Sequence, residues 1–87
     1  MSEVGVITGS ISDSVIMDYC TDTLTEYKID YDTVVASAHR DPDKVRDWVK
    51  EASDRGNKII IAGAGMSAAL PGVVASYTDL PVIGVPM

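Results

Sequence analysis

The run Lys58–Ala62 (KIIIA) most constrains the fold, since it is short and almost entirely apolar. A strand of this composition is typical of a parallel sheet that is covered by helices on both faces. Three further runs have β character and similar length: Val4–Thr8, Tyr31–Ala36 and Leu80–Val85. We therefore predict four strands that form one parallel sheet.

The first interval between strands has the apolar spacing of an amphipathic helix. We predict a helix of about four turns from Ser12, with Ser10 or Ser12 as its N-cap and Ser10 with Asp13 in capping-box spacing. The residues predicted to form its apolar face are Val15, Ile16, Tyr19, Cys20, Thr23, Leu24 and Tyr27. Cys20 is therefore expected to be a core residue, and as the single cysteine it permits no internal disulfide.

The second helix is predicted from Pro42 to about Arg55. Asp41 is its expected N-cap, Pro42 suits the first helical position, and Gly56 lies where a C′ glycine belongs. Four positions share the spacing of one buried face: Val45, Trp48, Val49 and Ala52.

A third helix is predicted from a cap at Ser67 to about Tyr77, with a start that shifts toward Leu70 because Pro71 lies in its first turns. The order β-α-β-α-β-α-β, with connections of this length, implies parallel strands joined by right-handed crossovers. We predict a single α/β domain over residues 1–87, with a three-layer, flavodoxin-like (Rossmann-like) sheet in strand order 2-1-3-4.

Charge and composition exclude some kinds of partner. The chain has 13 acidic and 7 basic residues, so its formal net charge is −6. Nucleic-acid binding requires a basic face, and we predict no nucleic-acid partner, although a small anion can still be held locally. The N-terminus lacks the basic region of a signal peptide, and no apolar run approaches the ~20 residues of a membrane helix. We expect a cytoplasmic protein with no membrane partner.

Three turns follow strands and lead into helices, at residues 9–13, 37–41 and 63–67. The carboxyl ends of parallel strands share one edge of the sheet, and free amides at helix N-termini favour an anion there. Four serines add hydroxyl donors: Ser10, Ser12, Ser37 and Ser67. Arg40 can form a bidentate pair with phosphate, Asp13 can accept hydrogen bonds from ribose hydroxyls, and His39 can transfer a proton near neutral pH. The pattern predicts a pocket for a phosphorylated, ribose-containing compound beside an acid/base group.

Each of these residues also has a structural interpretation. Gly9-Ser10 is equally well explained as a tight turn followed by a cap, and His39 as a side chain bonded to a neighbouring carbonyl. Arg40 alone would usually be a solvated surface cation. The GxG at Gly63–Gly65 lacks the third glycine of the dinucleotide fingerprint, so it is a weak sign of NAD or FAD.

Four segments resemble the motifs of one family in order and spacing. They are Gly9–Asp13 (GSISD), Ser37–Asp43 (SAHRDPD), Gly63–Gly72 (GAGMSAALPG) and Pro81–Pro86 (PVIGVP). Together they resemble the catalytic subunit of phosphoribosylaminoimidazole carboxylase, also called N5-carboxyaminoimidazole ribonucleotide mutase, of purine biosynthesis. The resemblance spans essentially the whole chain. Arg40 after His39 is the mutase-type pattern, whereas the related direct carboxylases, which use free CO2, tend to have lysine there.

The resemblance implies a transfer of a carboxylate from the exocyclic nitrogen to carbon 4 of an aminoimidazole ribonucleotide, with no cofactor and no metal. It implies that Ser10, Ser37, Ala38 and Arg40 bind substrate at or beside its phosphate, and that Asp13 binds the ribose. His39 would be the acid/base group for the proton at carbon 4. The backbone of Ala64, Gly65 and Met66 would line the base and the migrating carboxylate.

The family continues past Pro86-Met87 with another active-site loop, a fifth strand and C-terminal helices, and its members form octamers. This chain is therefore expected to correspond to the N-terminal part of the domain and to self-associate through apolar surface on strand 4 and helix 3. Ala69 stands where many mutase-type members have a histidine. The alternative is a non-catalytic module that binds a phosphoribosyl ligand or serves assembly.

Overall fold

Four parallel strands and three helices make up the part of the chain that the structure, a computed structural model, describes: residues 2–65 and 69–87. In chain order they are β1 (Val4–Thr8), α1 (Ile11–Glu26), β2 (Tyr31–Val35), α2 (Pro42–Lys50), β3 (Ile59–Ala64), α3 (Leu70–Ala75) and β4 (Val82–Pro86). The sheet has the order β2-β1-β3-β4, and all its pairings are parallel. The predicted α/β class and strand order are confirmed.

The ends of several elements differ from the predicted ones. β3 continues to Ala64 because Gly63 and Ala64 pair with the end of β4. α2 ends at Lys50, and a series of turns carries the chain to Gly56, which has the left-handed φ of 87° expected of the predicted glycine. α3 begins at Leu70 with Pro71 in its first turn, as the proline indicated. The predicted cap at Ser67 lies outside the described residues.

Two apolar clusters cover the two faces of the sheet. On one face α2 and α3 bury Val45, Val49 and Val74 against Ile7 and Ile60. On the other face α1 packs Met17 against Val4 and Val6. Neighbouring residues of β1 point to opposite faces of the sheet, and both faces are covered by helices. The strand is therefore buried along its whole length.

The buried face of α1 is not the predicted one. Val15, Ile16, Tyr19 and Tyr27 are exposed, and Met17 is the buried residue, with Cys20 and Leu24 packed partly beside it. The helix has apolar residues on two sides, so its spacing did not decide which side meets the sheet. The contact with Gly63 decides it, because a β-carbon there would overlap the sulfur of Met17. Burial raises the pKa of the Cys20 thiol, although Cys20 is half-buried at the margin of this cluster and is not the core residue that was predicted.

A polar cluster joins the amino ends of three strands. The Asn57 amide donates to the carbonyl of Ser2, just before β1, and to Asp32 of β2, each at 2.8 Å. Arg55 forms an ion pair with Asp32, with Nε and Oδ2 2.8 Å apart, and its guanidinium lies over the Trp48 ring at 4.2 Å from the centroid. These contacts hold the strands in register at the edge opposite the three turns.

The C-terminus of α1 contains a lysine in the left-handed conformation. Lys28 has a φ of 60°, and the amide of Ile29 donates to the Leu24 carbonyl at 2.9 Å, as in a Schellman motif. A side chain with a β-carbon is disfavoured there by roughly 1–2 kcal/mol, and glycine removes that cost.

We expect Lys28→Gly to raise the free energy of unfolding by roughly 0.5–1 kcal/mol, because the greater entropy of glycine in the unfolded chain offsets part of the gain. Urea denaturation measures the change. The matched control is Gly56→Ala, which introduces a β-carbon at a left-handed position and is expected to lower the same free energy. A loss of stability in Lys28→Gly would contradict the explanation.

Candidate functional site

A cleft of about 890 Å³ lies at the carboxyl edge of the sheet. It is lined by residues from the turns after β1, β2 and β3: residues 9–13, 35–37, 40, 41, 44, 64 and 65. The three predicted turns therefore do meet at one site, as the parallel topology requires.

The first turn supplies two hydroxyl groups. Ser10 is the N-cap of α1, and its Oγ accepts a hydrogen bond from the amide of Asp13 at 3.3 Å. The predicted cap at Ser10, rather than at Ser12, is confirmed. Ser10 Oγ and Ser12 Oγ lie 2.9 Å apart, a contact that uses one of their two hydroxyl protons. The second proton can be donated to an anion in the cleft.

The second turn is organised by Ser37. Its Oγ accepts hydrogen bonds from the amides of His39 and Arg40, each at 3.2 Å, and its carbonyl accepts from the amide of Asp41 at 2.9 Å. Because both lone pairs of the hydroxyl are engaged, its remaining hydrogen-bonding capacity is its proton. Ser37 thus shapes the turn as an acceptor while it can bind a ligand oxygen as a donor.

Asp13 joins the first turn to the third. Its Oδ2 accepts a hydrogen bond from the amide of Gly65 at 3.3 Å, across 52 residues of sequence. A β-carbon at Gly65 would lie 3.3 Å from Asp13 Oδ1, so the glycine permits the close approach. Asp13 lines the cleft as predicted, and it also positions the β3 end of the site.

Two cations and a second carboxylate complete the described lining. Arg40 lines the cleft as predicted. Lys44, which the sequence interpretation did not select, also lines it, and its Nζ donates to the carbonyl of Val35 at 3.0 Å. Asp41 occupies the predicted N-cap position of α2 but makes no side-chain capping bond, and it is one of the residues that line the cleft.

The remaining predicted residues lie elsewhere or outside the described part. Ala38 packs against the α2–α3 side of the core, and His39 is exposed on the same turn. In the described lining of the cleft neither residue takes part. Ala64 and Gly65 do line it, and Met66 lies outside the described residues.

The described residues contain neither a cluster of metal-binding side chains nor a membrane-spanning helix. Over residues 2–65 and 69–87, no group of three or more His, Cys, Asp or Glu side chains could hold a metal ion. None of the helices described there is long and apolar enough to span a bilayer.

Comparison with known proteins relates the chain to a family. The family model described as AIR carboxylase matches residues 3–87. The chain belongs to the AIR carboxylase family. It is similar to the N5-carboxyaminoimidazole ribonucleotide mutases of Thermotoga maritima, with 52% identity over 87 residues, and of Pyrococcus abyssi, with 46% identity over 87 residues. It is also 50% identical over 84 residues to the bifunctional purine synthesis protein purC/E of Dictyostelium discoideum.

The alignments with these relatives cover nearly all of the chain but only part of each relative, because the relatives are longer. All of the chain aligns with 51% of the Thermotoga protein and 50% of the Pyrococcus protein. The Dictyostelium alignment covers 97% of the chain and 8% of that bifunctional protein. The chain therefore spans about half the length of the mutases that it matches.

The two hydrogen bonds that Ser37 accepts predict a measurable structural role. We expect Ser37→Ala to lower the free energy of unfolding by roughly 1 kcal/mol, because two amides lose their acceptor. Urea denaturation measures the loss. Ser76→Ala serves as control, since the Ser76 hydroxyl donates to a Val73 carbonyl that the Ser76 amide also reaches. Equal stability of the two variants would contradict the role assigned to Ser37.

Proposed function

We propose that the protein acts in purine biosynthesis as an N5-carboxyaminoimidazole ribonucleotide mutase. In this reaction the carboxylate leaves the exocyclic nitrogen and forms a bond to carbon 4, while the proton lost from carbon 4 balances the proton gained at nitrogen. The product is 4-carboxy-5-aminoimidazole ribonucleotide. The observation that carries the proposal is the convergence of three family motifs on one cleft that contains hydroxyl donors and cations.

The phosphate of the ribonucleotide is assigned to the first two turns. Ser10 caps α1 and Ser37 lies in the turn that leads into α2, and amide hydrogen bonds already hold each hydroxyl in place. Arg40 adds a permanent positive charge that can bind phosphate through two donors. Asp13 is assigned to the ribose, because its carboxylate borders the cleft beside these groups.

His39 is assigned as the acid/base group for the proton at carbon 4, with Ala38 next to it on the same turn. Its amide is held by Ser37, and the following residue, Arg40, borders the cleft. His39 is exposed and is not among the described residues that line the cleft, so its role requires the imidazole to come within hydrogen-bond distance of the ligand. Ala64, Gly65 and Met66 are assigned to the base and the migrating carboxylate.

A second candidate function is binding without turnover. The chain spans about half the length of its mutase relatives, and His39 does not border the cleft within the described residues. A module of this kind would bind a phosphoribosyl ligand through the turns and leave catalysis to other segments.

The deciding experiment follows conversion of N5-carboxyaminoimidazole ribonucleotide and, separately, thermal stabilisation by the product. We expect His39→Asn to reduce kcat by roughly 100-fold or more while stabilisation is kept, because the variant lacks the proton-transferring group. Arg40→Ala should lose the stabilisation. Lys50→Ala, in the last turn of α2, is the control that should change neither.

One outcome would contradict the role of His39, and another would contradict the mutase assignment itself. Unchanged turnover in His39→Asn would remove His39 from the reaction. Stabilisation by the ligand without any turnover of the unsubstituted protein would favour the binding module instead.

We also propose that copies of the chain self-associate, as the family resemblance implied. Large apolar side chains are exposed on α1 and β4: Ile11, Val15 and Tyr19 are 67–78% exposed, and Ile83 is 49% exposed. Surfaces of this kind are unusual on a monomer. The α1 residues extend the expected surface beyond strand 4 and helix 3.

Analytical ultracentrifugation at micromolar concentration tests the proposal. We expect a species larger than the monomer, and a shift toward monomer in Tyr19→Lys, because a charge at an apolar contact must be desolvated. Thr25→Lys adds the same charge at another exposed position of α1 and is the control. A clean monomer of the unsubstituted chain would contradict self-association.

A further inference from the structure

Lys44 is a cation in the described lining of the cleft. Neither the sequence motifs nor the proposed reaction gives this residue a role. It lies in the first turn of α2, and its side chain reaches back to the end of β2, where Nζ donates to the Val35 carbonyl at 3.0 Å. This contact places the ammonium group just before the turn that Ser37 organises. An exposed lysine that bends toward a cleft, rather than into solvent, requires an explanation.

The charges along the cleft explain why the Lys44 side chain bends toward it. The described lining contains two cations, Arg40 and Lys44, and two carboxylates, Asp13 and Asp41. A phosphate monoester carries about −1.5 to −2 charges near neutral pH. Arg40 alone would leave such a ligand under-compensated beside two carboxylates, in a chain whose net charge is −6. The charge balance therefore favours a second cation at the phosphate.

The donor count of the ammonium group agrees with this. An ammonium group has three donors, and the Val35 carbonyl occupies one. The bond to Val35 holds the group in place, so the remaining donors are available at the edge of the cleft. Lys44 provides a point charge, whereas Arg40 provides a planar fork, so the two cations can bind different oxygens of one phosphate.

We propose that Lys44 binds the phosphate of the ligand together with Arg40 and is a specificity residue for phosphorylated compounds. The proposal rests on the proposed function in taking the ligand to be a ribonucleotide. The competing explanation is structural, with Lys44 serving only to attach α2 to the end of β2.

The test measures dissociation constants by calorimetry for two probes, inorganic phosphate and the 4-carboxy-5-aminoimidazole ribonucleotide. We expect Lys44→Met, which keeps the aliphatic stem, to weaken binding of both probes roughly tenfold at about 50 mM salt. The difference from the unsubstituted protein should shrink at about 500 mM salt, because screening weakens a charge contact. Lys44→Arg should restore most of the binding, and Lys50→Met should bind as the unsubstituted protein does.

The outcomes separate this inference from the proposed function. If phosphate binds in a Lys44-dependent way but the ribonucleotide does not bind, the proposed function fails and the phosphate site stands. If both probes bind to Lys44→Met as well as to the unsubstituted protein, the inference is overturned while the mutase assignment survives. A loss of affinity that is equal at both salt concentrations, with a lower melting temperature, would show that Lys44 has a structural role. That result would also overturn the inference. Failure of both probes to bind the unsubstituted protein would overturn both proposals.

Discussion

The parallel pairing of β1 with β2 and β3 is the constraint on which the cleft depends. Thr8 lies opposite Val35 on one side and Gly63 on the other, so the three strands end at nearly the same level. The pairing continues one residue further, because the Ala36 amide donates to Thr8 and the Gly9 amide donates to Gly63. A shift of one residue in either pairing would turn the side chains of a strand to the other face and separate the turns.

The polar cluster at the opposite edge supports the same register. Asp32, Arg55 and Asn57 bring together the beginning of β1, the strand β2 and the entry to β3. An ion pair between partly buried groups contributes little by itself, since desolvation offsets much of the attraction. The polar cluster instead fixes the positions of the strands. Asn57 donates to the Ser2 carbonyl, just before β1, and to Asp32 of β2, and it could not keep both hydrogen bonds if the strands shifted in register. The polar cluster at one edge of the sheet therefore helps to determine the positions of the three turns at the opposite edge.

Local patterns predicted the elements, whereas contacts between distant residues determined what the patterns left open. The apolar runs and the Ser10 and Pro42 signals were sufficient for the strands and the helix starts, because each depends on a few adjacent residues. The Gly56 signal did not predict the end of α2, which lies at Lys50. The buried face of α1 was not predictable in this way, since the fit of Met17 over Gly63 joins residues far apart in the chain. The polar cluster of Asp32, Arg55 and Asn57 has no local signal for the same reason.

The residues of the site also divide into those that local patterns predicted and those that only the folded structure reveals. Ser10, Asp13, Ser37 and Arg40 were predicted because strand-to-helix turns and family motifs both point to them, and all four border the cleft. Lys44 was missed because a lysine in the first turn of a helix is usually a solvated residue. Its place at the cleft depends on the contact with Val35, which spacing along the helix does not reveal.

The binding groups and the proposed proton-transferring group are constrained to different degrees. The hydroxyls of Ser10 and Ser37 are oriented by amides of their own turns, so their donors are in place before a ligand arrives. The described contacts of His39 involve its backbone, and its imidazole is exposed. Proton transfer requires hydrogen-bond distance to the reacting atom, so the proposed role of His39 depends on the position of a side chain that the described contacts do not fix, whereas the hydroxyls of Ser10 and Ser37 are fixed.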